Sequence, residues 1–483
     1  MASISAPLAV PANAGRKRPK TWSVGTLTYT TPQLVNVFVW MSWGDFCLFL
    51  MDSGVGRTLV PLQLKKFGAS NATIAIINKS LVEFLVLFLC PIISTWSDRY
   101  RSRRGRRIPF MLWTTPPLAV CLALLGFSPD IAVWLKSISP HLLGGISAAG
   151  LTVALITITL VGYKFFDTFP QSVYYYLYTD VIPPQFMGTF VCLFRVCSTL
   201  GVLVFNKFLL KYCDDHPAAI CTAAAALYCV AFLLLCVLVK EGEYPPPEPA
   251  PQGPIVRRSI TSVARFCREC FTHPFYWKYY LLVLCFMIGY VPFGDFLIFF
   301  GQKELKMDLA SYGNVMAMKD VVQIAVFLCL GPIVDRLHPL RMGMIGIILV
   351  VATGVCSFLF IHTAATFTVW ILITFGAVAI YQGATGALGP RLLPRTHYGQ
   401  FCAACALIFH FGQMLLAPLL GWITDTWGNA AVFPWFFTFC GGATVCLFLV
   451  YRDWKKLGGD TSYVPPLTTL SRQEKAFENA TPH

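Results

Sequence analysis

The sequence predicts an all-α membrane protein of twelve spanning helices, arranged as two six-helix repeats. Three observations carry this expectation. Hydrophobic residues fill 56% of the 483 positions and charged residues only 12%, with a mean hydropathy of +0.64, whereas a soluble domain carries roughly 25% charged residues. The apolar residues gather in twelve runs, each near the ~20 residues that cross a bilayer as a helix. Short motifs of the first six runs recur, in order, in the last six.

Residues 1–32 form a polar tail with Arg16, Lys17, Arg18 and Lys20, read as unstructured. The tail lacks the apolar core of a signal peptide. The first span, 33–55, holds Asp45 and Asp52 on nearly one face. An outer loop with Arg57, Lys65 and Lys66 leads to the second span, 71–96, which carries Lys79 and Glu83 four apart. Six arginines follow among the nine residues from Arg99 to Arg107. The third span is 108–127, and an external connection covers 128–146. The fourth, 148–179, carries Lys164, Asp167 and Gln171, then Tyr174, Tyr175, Tyr176 and Tyr178. Asp180 and Pro183-Pro184 close it. The fifth span, 187–209, has Arg195, and the sixth is 218–239. An N-terminal bundle at 33–240 results.

The linker 241–275 opens with a Pro-rich stretch at 243–254 that cannot be helical, because proline fixes φ and removes a donor. Residues 255–272 interleave Arg257, Arg258, Arg265 and Arg268 with Ile255, Ile260, Val263 and Phe266. That pattern suits an amphipathic helix on the lipid surface. Spans at 276–300, 309–333, 340–361, 366–389, 400–423 and 430–451 build a C-terminal bundle at 276–452. A tail at 453–483 ends the chain.

Most of the 37 Lys and Arg fall on the side of the basic loop. By the positive-inside rule that side is the cytosol, and an even number of spans puts both termini there. The net charge of +14 is therefore a topological signal and excludes a nucleic-acid footprint. The bilayer is the expected environment, in a plasma or bacterial inner membrane. The 18 cysteines are scattered. Cys267-x-x-Cys270 with His273 lacks a second ligand pair, so no metal is expected. No nucleophile elbow, His-rich cluster or phosphate-cradling glycine loop occurs, which argues against an enzyme and against a cofactor.

The repeat is legible at four places. Gly44-Asp45-Phe46 returns as Gly294-Asp295-Phe296, and Lys79 as Lys319, with Asp320 beside it. Pro91-Ile92 and Asp98-Arg99 return as Pro332-Ile333 and Asp335-Arg336. Asp180, Pro183 and Gly188 share their spacing with Arg391, Pro394 and Gly399. Asp98-Arg99 followed by Arg103, Arg104, Gly105, Arg106, Arg107, Ile108 and Pro109 resembles the signature of the glycoside–pentoside–hexuronide:cation symporters. The R-x-G-R-R-x-P form is similar to that of sucrose-type members. Six plus six parallel repeats around a long linker resemble the major facilitator architecture, with a solute site near the midplane and transport by rocking of the halves.

The resemblance implies a monomeric secondary transporter of a small-molecule solute, a sugar in the first reading, with protons as the coupling ion. An exporter or uniporter of an anionic or amphipathic metabolite is the alternative. It further implies solute-binding roles for Asp45, Asp167 and Arg195. Gln171 stands where related chains place an aromatic residue. Lys79 and Glu83 replace the aspartate pair of sodium-coupled members, which argues against sodium and leaves proton coupling or none.

A charge buried in hydrocarbon costs about 2.5–3.5 kcal/mol on insertion scales, so such residues are functional candidates by default. On this ground Glu83, Asp167 and Lys79 are candidates for proton coupling, and Asp295 and Lys319 for the C-terminal side of the solute site. Asp98, Arg99, Gly105, Arg106, Arg107, Asp335 and Arg336 are candidates for gating, and Asp180 with Arg391 for a latch between the halves. His410 is read as a packed histidine.

Overall fold

The computed structural model describes residues 21–143, 145–244, 264, 266–386, 388–394 and 398–466. Among them, twelve helices are long and apolar enough to cross a membrane. We number these α1 (Thr31–Lys66), α2 (Asn71–Arg99), α3 (Ile108–Gly126), α4 (Ala148–Val181), α5 (Leu193–Tyr212) and α6 (Pro217–Leu238) in the first half. The second half has α7 (Pro274–Lys303), α8 (Leu309–Leu330), α9 (Pro339–Phe360), α10 (Ala364–Leu392), α11 (Tyr398–Trp427) and α12 (Asn429–Lys456). The twelve-span reading holds, and the differences are local.

Part of the expected tail is structured. Strands β1 (Thr21–Val24) and β2 (Leu27–Thr30) pair antiparallel, Trp22 opposite Tyr29. The cause is a period of two: Trp22, Val24, Leu27 and Tyr29 share the inner face while Thr21, Ser23 and Thr28 are exposed. Trp22 meets the ring of Phe186 edge-on at 4.9 Å, which ties the hairpin to the N-terminal bundle. The expected amphipathic helix at 255–272 falls largely outside the described residues.

The loop expected after the first span is helical. Residues Leu50–Leu59 continue α1 as a π-helix despite Gly54 and Gly56. A π turn brings residues five apart above one another. Asp52 and Arg57 have that spacing and lie 3.0 Å apart, and the Thr58 hydroxyl donates to the Ser53 carbonyl at 3.0 Å. Arg57 thus belongs to the bundle and not to a loop. The external connection also contains a helix, Ser128–Ile138.

Direct contacts between the halves gather toward the end opposite the basic loop. There α2 meets α11, and the last turns of α5 meet α8. The Asn71 amide donates to Asp425 at 2.9 Å and its side chain to Thr424 at 3.0 Å. Lys207 donates to Asn314 at 2.8 Å. The approach of α11 to α2 depends on Gly421, where a Cβ would sit 2.6 Å from the Asn71 carbonyl oxygen and 2.8 Å from the Ala72 Cα.

Both neighbours of Gly421 are backbone and cannot swing aside, so a side chain there costs about 1–3 kcal/mol of overpacking or forces the helices apart. Gly421→Val is expected to lengthen the distance between spin labels carried on unnatural residues at Lys66 and Thr426, with helicity by circular dichroism unchanged. An unaltered distance would show that this seam does not set the closure.

Candidate functional site

Four charged side chains in the middle of the N-terminal half form one neutral group. Asp52 reaches it from the π segment of α1, and Lys164 and Asp167 from α4, one turn apart. Lys164 Nζ lies 2.7 Å from Asp52 Oδ1 and 3.3 Å from Asp167 Oδ2. Arg57 covers the other oxygen of Asp52 at 3.0 Å, and Tyr228 of α6 donates to Asp167 at 3.4 Å. Two carboxylates and two cations cancel, which is how a low-dielectric interior tolerates charge at all. Asp167 makes no salt bridge with Arg195: Lys164 and Tyr228 hold it.

Lys79 and Glu83 do not pair with each other. Each crosses to the other half. Lys79 Nζ lies 2.8 Å from Asp295 of α7, a close ionic contact without a directed hydrogen bond. Glu83 Oε2 lies 2.6 Å from Nδ1 of His410 on α11. Between these two, Ser80 donates to the Met414 carbonyl at 2.5 Å. On the other seam Asn206 donates to Asp320 at 2.9 Å, and Asp320 holds Lys319 at 2.7 Å. Lys319 also stands over the Phe375 ring at 4.7 Å.

Asp45 is fully buried, and neither carboxylate oxygen has a hydrogen-bond partner among the described residues. Arg195 is the charged group that acts on it. Arg195 itself is exposed and lines a pocket of about 230 Å³ between α1, α4 and α5, with Tyr175, Tyr178, Phe194 and Ser198. Phe49 and Phe190 complete the wall. Gln171, one turn before Tyr175 on α4, is half-buried.

The basic loop is held as a unit. Arg106 donates to both oxygens of Asp180 at 3.0 Å, and Arg107 reaches Asp98 and Ser97 at 2.5 Å each. Tyr244 donates to Asp180 at 3.1 Å and lies under the Arg106 guanidinium at 4.1 Å. Glu241, just beyond α6, accepts from the backbone amides of Arg106 and Arg107 at 2.8 Å and of Ile108 at 2.6 Å. These amides are the unsatisfied donors at the start of α3. Burial pushes the Glu241 carboxyl above the usual range, against the pull of those three amides.

Asp180 is therefore engaged within its own half, while Arg391 stands exposed on the other. Arg99 is exposed, and the side chains of Asp335 and Arg336 lie outside the described residues.

Sequence reasoning missed Arg57, Tyr228 and His410 as members of these networks. A spacing of five between Asp52 and Arg57 was the available signal for the first. Nothing local marks the others, whose partners are 61 and 327 residues away in the chain.

With this geometry in view, two parallel bundles of six helices meet along α2–α11 and α5–α8. The chain has the major facilitator fold. Residues 217–404 match the family model of the Major Facilitator Superfamily. No curated protein matches the sequence.

Among solved structures, a bacterial homologue of the human lysosomal transporter Spinster, inward-facing and unoccupied, superposes with a TM-score of 0.65. The two are 12% identical, over 89% of this chain and 99% of that one. A D-xylose–proton symporter gives 0.56 at 13% identity, over 86% and 97% of the two chains. The nucleoside transporter NupG gives 0.55 at 12%, over 88% and 99%. At such identities the likeness concerns the fold.

In this fold the loop between α2 and α3 is tied down by two features that can be separated. Gly105 has φ +102, and a Cβ there would lie 2.4 Å from the Glu241 carboxyl carbon. Glu241→Ala strips three amides of their acceptor, at about 1–3 kcal/mol for buried groups left unsatisfied. Gly105→Ala is expected to lower thermal stability by displacing the same carboxylate. The double variant should then fall well short of the sum of the two losses in a double-mutant cycle. Additive losses would mean that Glu241 and the loop are independent.

Proposed function

We propose that the chain is a secondary carrier that moves a small polar solute, a sugar in the first reading, by rocking its two halves with protons as the coupling ion. The basic end faces the cytosol of a plasma or bacterial inner membrane, and one chain is the working unit. One observation supports the reading above the others. The halves meet deep in the apolar bundle through polar and ionic contacts, Lys79–Asp295, Glu83–His410 and Asn206–Asp320. An interface meant to stay shut is better served by apolar packing, because buried ion pairs offset their own desolvation poorly. Contacts of this kind suit an interface that is broken and remade.

The solute site on this reading is the pocket around Arg195. Tyr175 and Tyr178 supply ring faces, and their hydroxyls with Ser198 and Arg195 supply hydrogen-bonding groups for a hydroxylated ring. Asp45 lies behind it. Asp167, Glu83 and Lys79 are the proton-coupling candidates, and Asp295 and Lys319 are the charged groups of the opposite half. A second reading, an anionic metabolite, is favoured by one fact: Arg195 faces the pocket with no ion-pair partner among the described residues.

Uptake of labelled sugars and carboxylates into proteoliposomes, with and without an inward proton gradient, separates the two. On the first reading a sugar accumulates only with the gradient. Arg195→Gln then loses about 10- to 100-fold in uptake efficiency, the value of about 1.5–3 kcal/mol for a hydrogen bond to a charged group. Asp167→Asn abolishes accumulation if the proton rides on α4. Uptake of carboxylates alone, abolished by Arg195→Gln, supports the second reading. No flux of any solute overturns both.

A further inference from the structure

The polar contacts between α2 and α11 form a ladder. Its rungs run from Asn71 with Thr424 and Asp425, through Ser80 with the Met414 carbonyl, to Glu83 with His410. The first rung lies at the end opposite the basic loop, and Glu83–His410 is the last on the basic side. His410 keeps 26% of its side chain accessible and Glu83 13%. An imidazole is the one side chain whose ordinary titration falls between about pH 5 and pH 8. Of the three rungs, only this one contains an imidazole.

We propose that Glu83 and His410 together form the proton-binding site that locks and releases the α2–α11 seam, an inference that rests on the carrier reading above. When the seam is closed the pair shares one proton between carboxylate and imidazole. Nδ1 and Oε2 at 2.6 Å are at the distance of a charge-assisted hydrogen bond. When the seam is open, a second proton binds, so that Glu83 is a neutral acid while His410 remains a cation. The ion pair that draws α2 to α11 is then absent, which favours the open seam.

When the seam closes again, the pair can hold only one proton, and the other departs. Because the rung sits at the basic edge of the ladder, that proton leaves on the basic side. One proton is taken up with the seam open and one is given up after it shuts, so the cycle balances at one proton per turn.

The surroundings fit this assignment. On α2, Lys79 lies one turn away and is held by Asp295 of α7, so it does not compete for Glu83 in the closed seam. Arg57 of α1 acts on Glu83 at longer range but is satisfied by Asp52. Cys90 of α2 also feels Glu83 and contacts Ser172 of α4 at 3.4 Å. On α11 the His410 ring packs against Phe409, 4.9 Å between centroids.

The sign of the linkage follows. The open seam binds more protons than the closed one, so acid favours opening. We would label Lys66 and Thr426 with spin labels on unnatural residues in the full-length protein in nanodiscs. Their distance would be followed from about pH 8 to about pH 5, the range of imidazole titration.

The expected result is a growing long-distance population in acid. One extra proton raises the open-to-closed ratio by at most about tenfold per pH unit. Glu83→Gln and His410→Gln should each flatten this response while the helicity stays intact. If Glu83→Gln does not fold, His410→Gln alone decides. A wild-type distance that ignores pH, or a slope that survives both substitutions, overturns the assignment.

This reading needs no solute, so it is separable from the carrier proposal. Proteoliposomes complete the test once a solute is known. Glu83→Gln should keep solute exchange without a gradient and lose gradient-driven accumulation. Accumulation retained in that variant overturns the coupling role.

Discussion

The structure depends on the cost of placing charge in a low-dielectric interior. Within the spans Asp52, Arg57, Lys79, Glu83, Lys164, Asp167, Asp295, Lys319, Asp320 and His410 are in ion-pair contact with an opposite partner, whereas Asp45 and Arg195 have none among the described residues. Each such pair is weak evidence for stability, because desolvation consumes most of the Coulombic gain. Breaking one is a different matter, since the partner is then left bare. This asymmetry makes the pairs effective at specifying which helices meet and with what register.

The two kinds of pair serve different ends. Asp52, Arg57, Lys164 and Asp167 close on one another inside a single half, which ties α1 to α4 whatever the other half does. Lys79–Asp295 and Glu83–His410 span the seam, so their survival depends on how the halves are placed. A rigid group beside a breakable one is what a rocking bundle requires. The basic loop extends the rigid kind to the surface, where Glu241, Asp180 and Tyr244 hold the arginines and the start of α3 in one arrangement. Arg106 and Arg107 are thus engaged within the N-terminal half, beyond their role in orienting the chain.

The twelve spans were legible because each is a local property: a run of apolar residues must be helical in a bilayer, where no water can satisfy the backbone. The internal repeat was legible for the same reason, through short motifs at matching places. Two local rules were misread. The first span was ended at residue 55 with Arg57 in a loop, whereas the π turn carries the helix on to Lys66 with Asp52 and Arg57 stacked. The alternation of Trp22, Val24, Leu27 and Tyr29 was passed over as tail, though period two is itself a strand signal.

What the sequence determined by itself is which residues had to be satisfied: Asp45, Lys79, Glu83, Lys164, Asp167, Asp295 and Lys319 were visible as charges in apolar runs that need a partner. Which partner each took was decided only by tertiary structure. Glu83 has Lys79 at helical spacing and still bonds to His410, 327 residues away. Asp295 repeats Asp45 in sequence, yet one faces Lys79 across the seam while the other is buried with no hydrogen-bond partner among the described residues. Identical motifs end in unlike surroundings because a partner within ~4 Å, and not the local pattern, sets the energy of a buried charge. Distance across a seam is a property of packing, and no stretch of chain contains it.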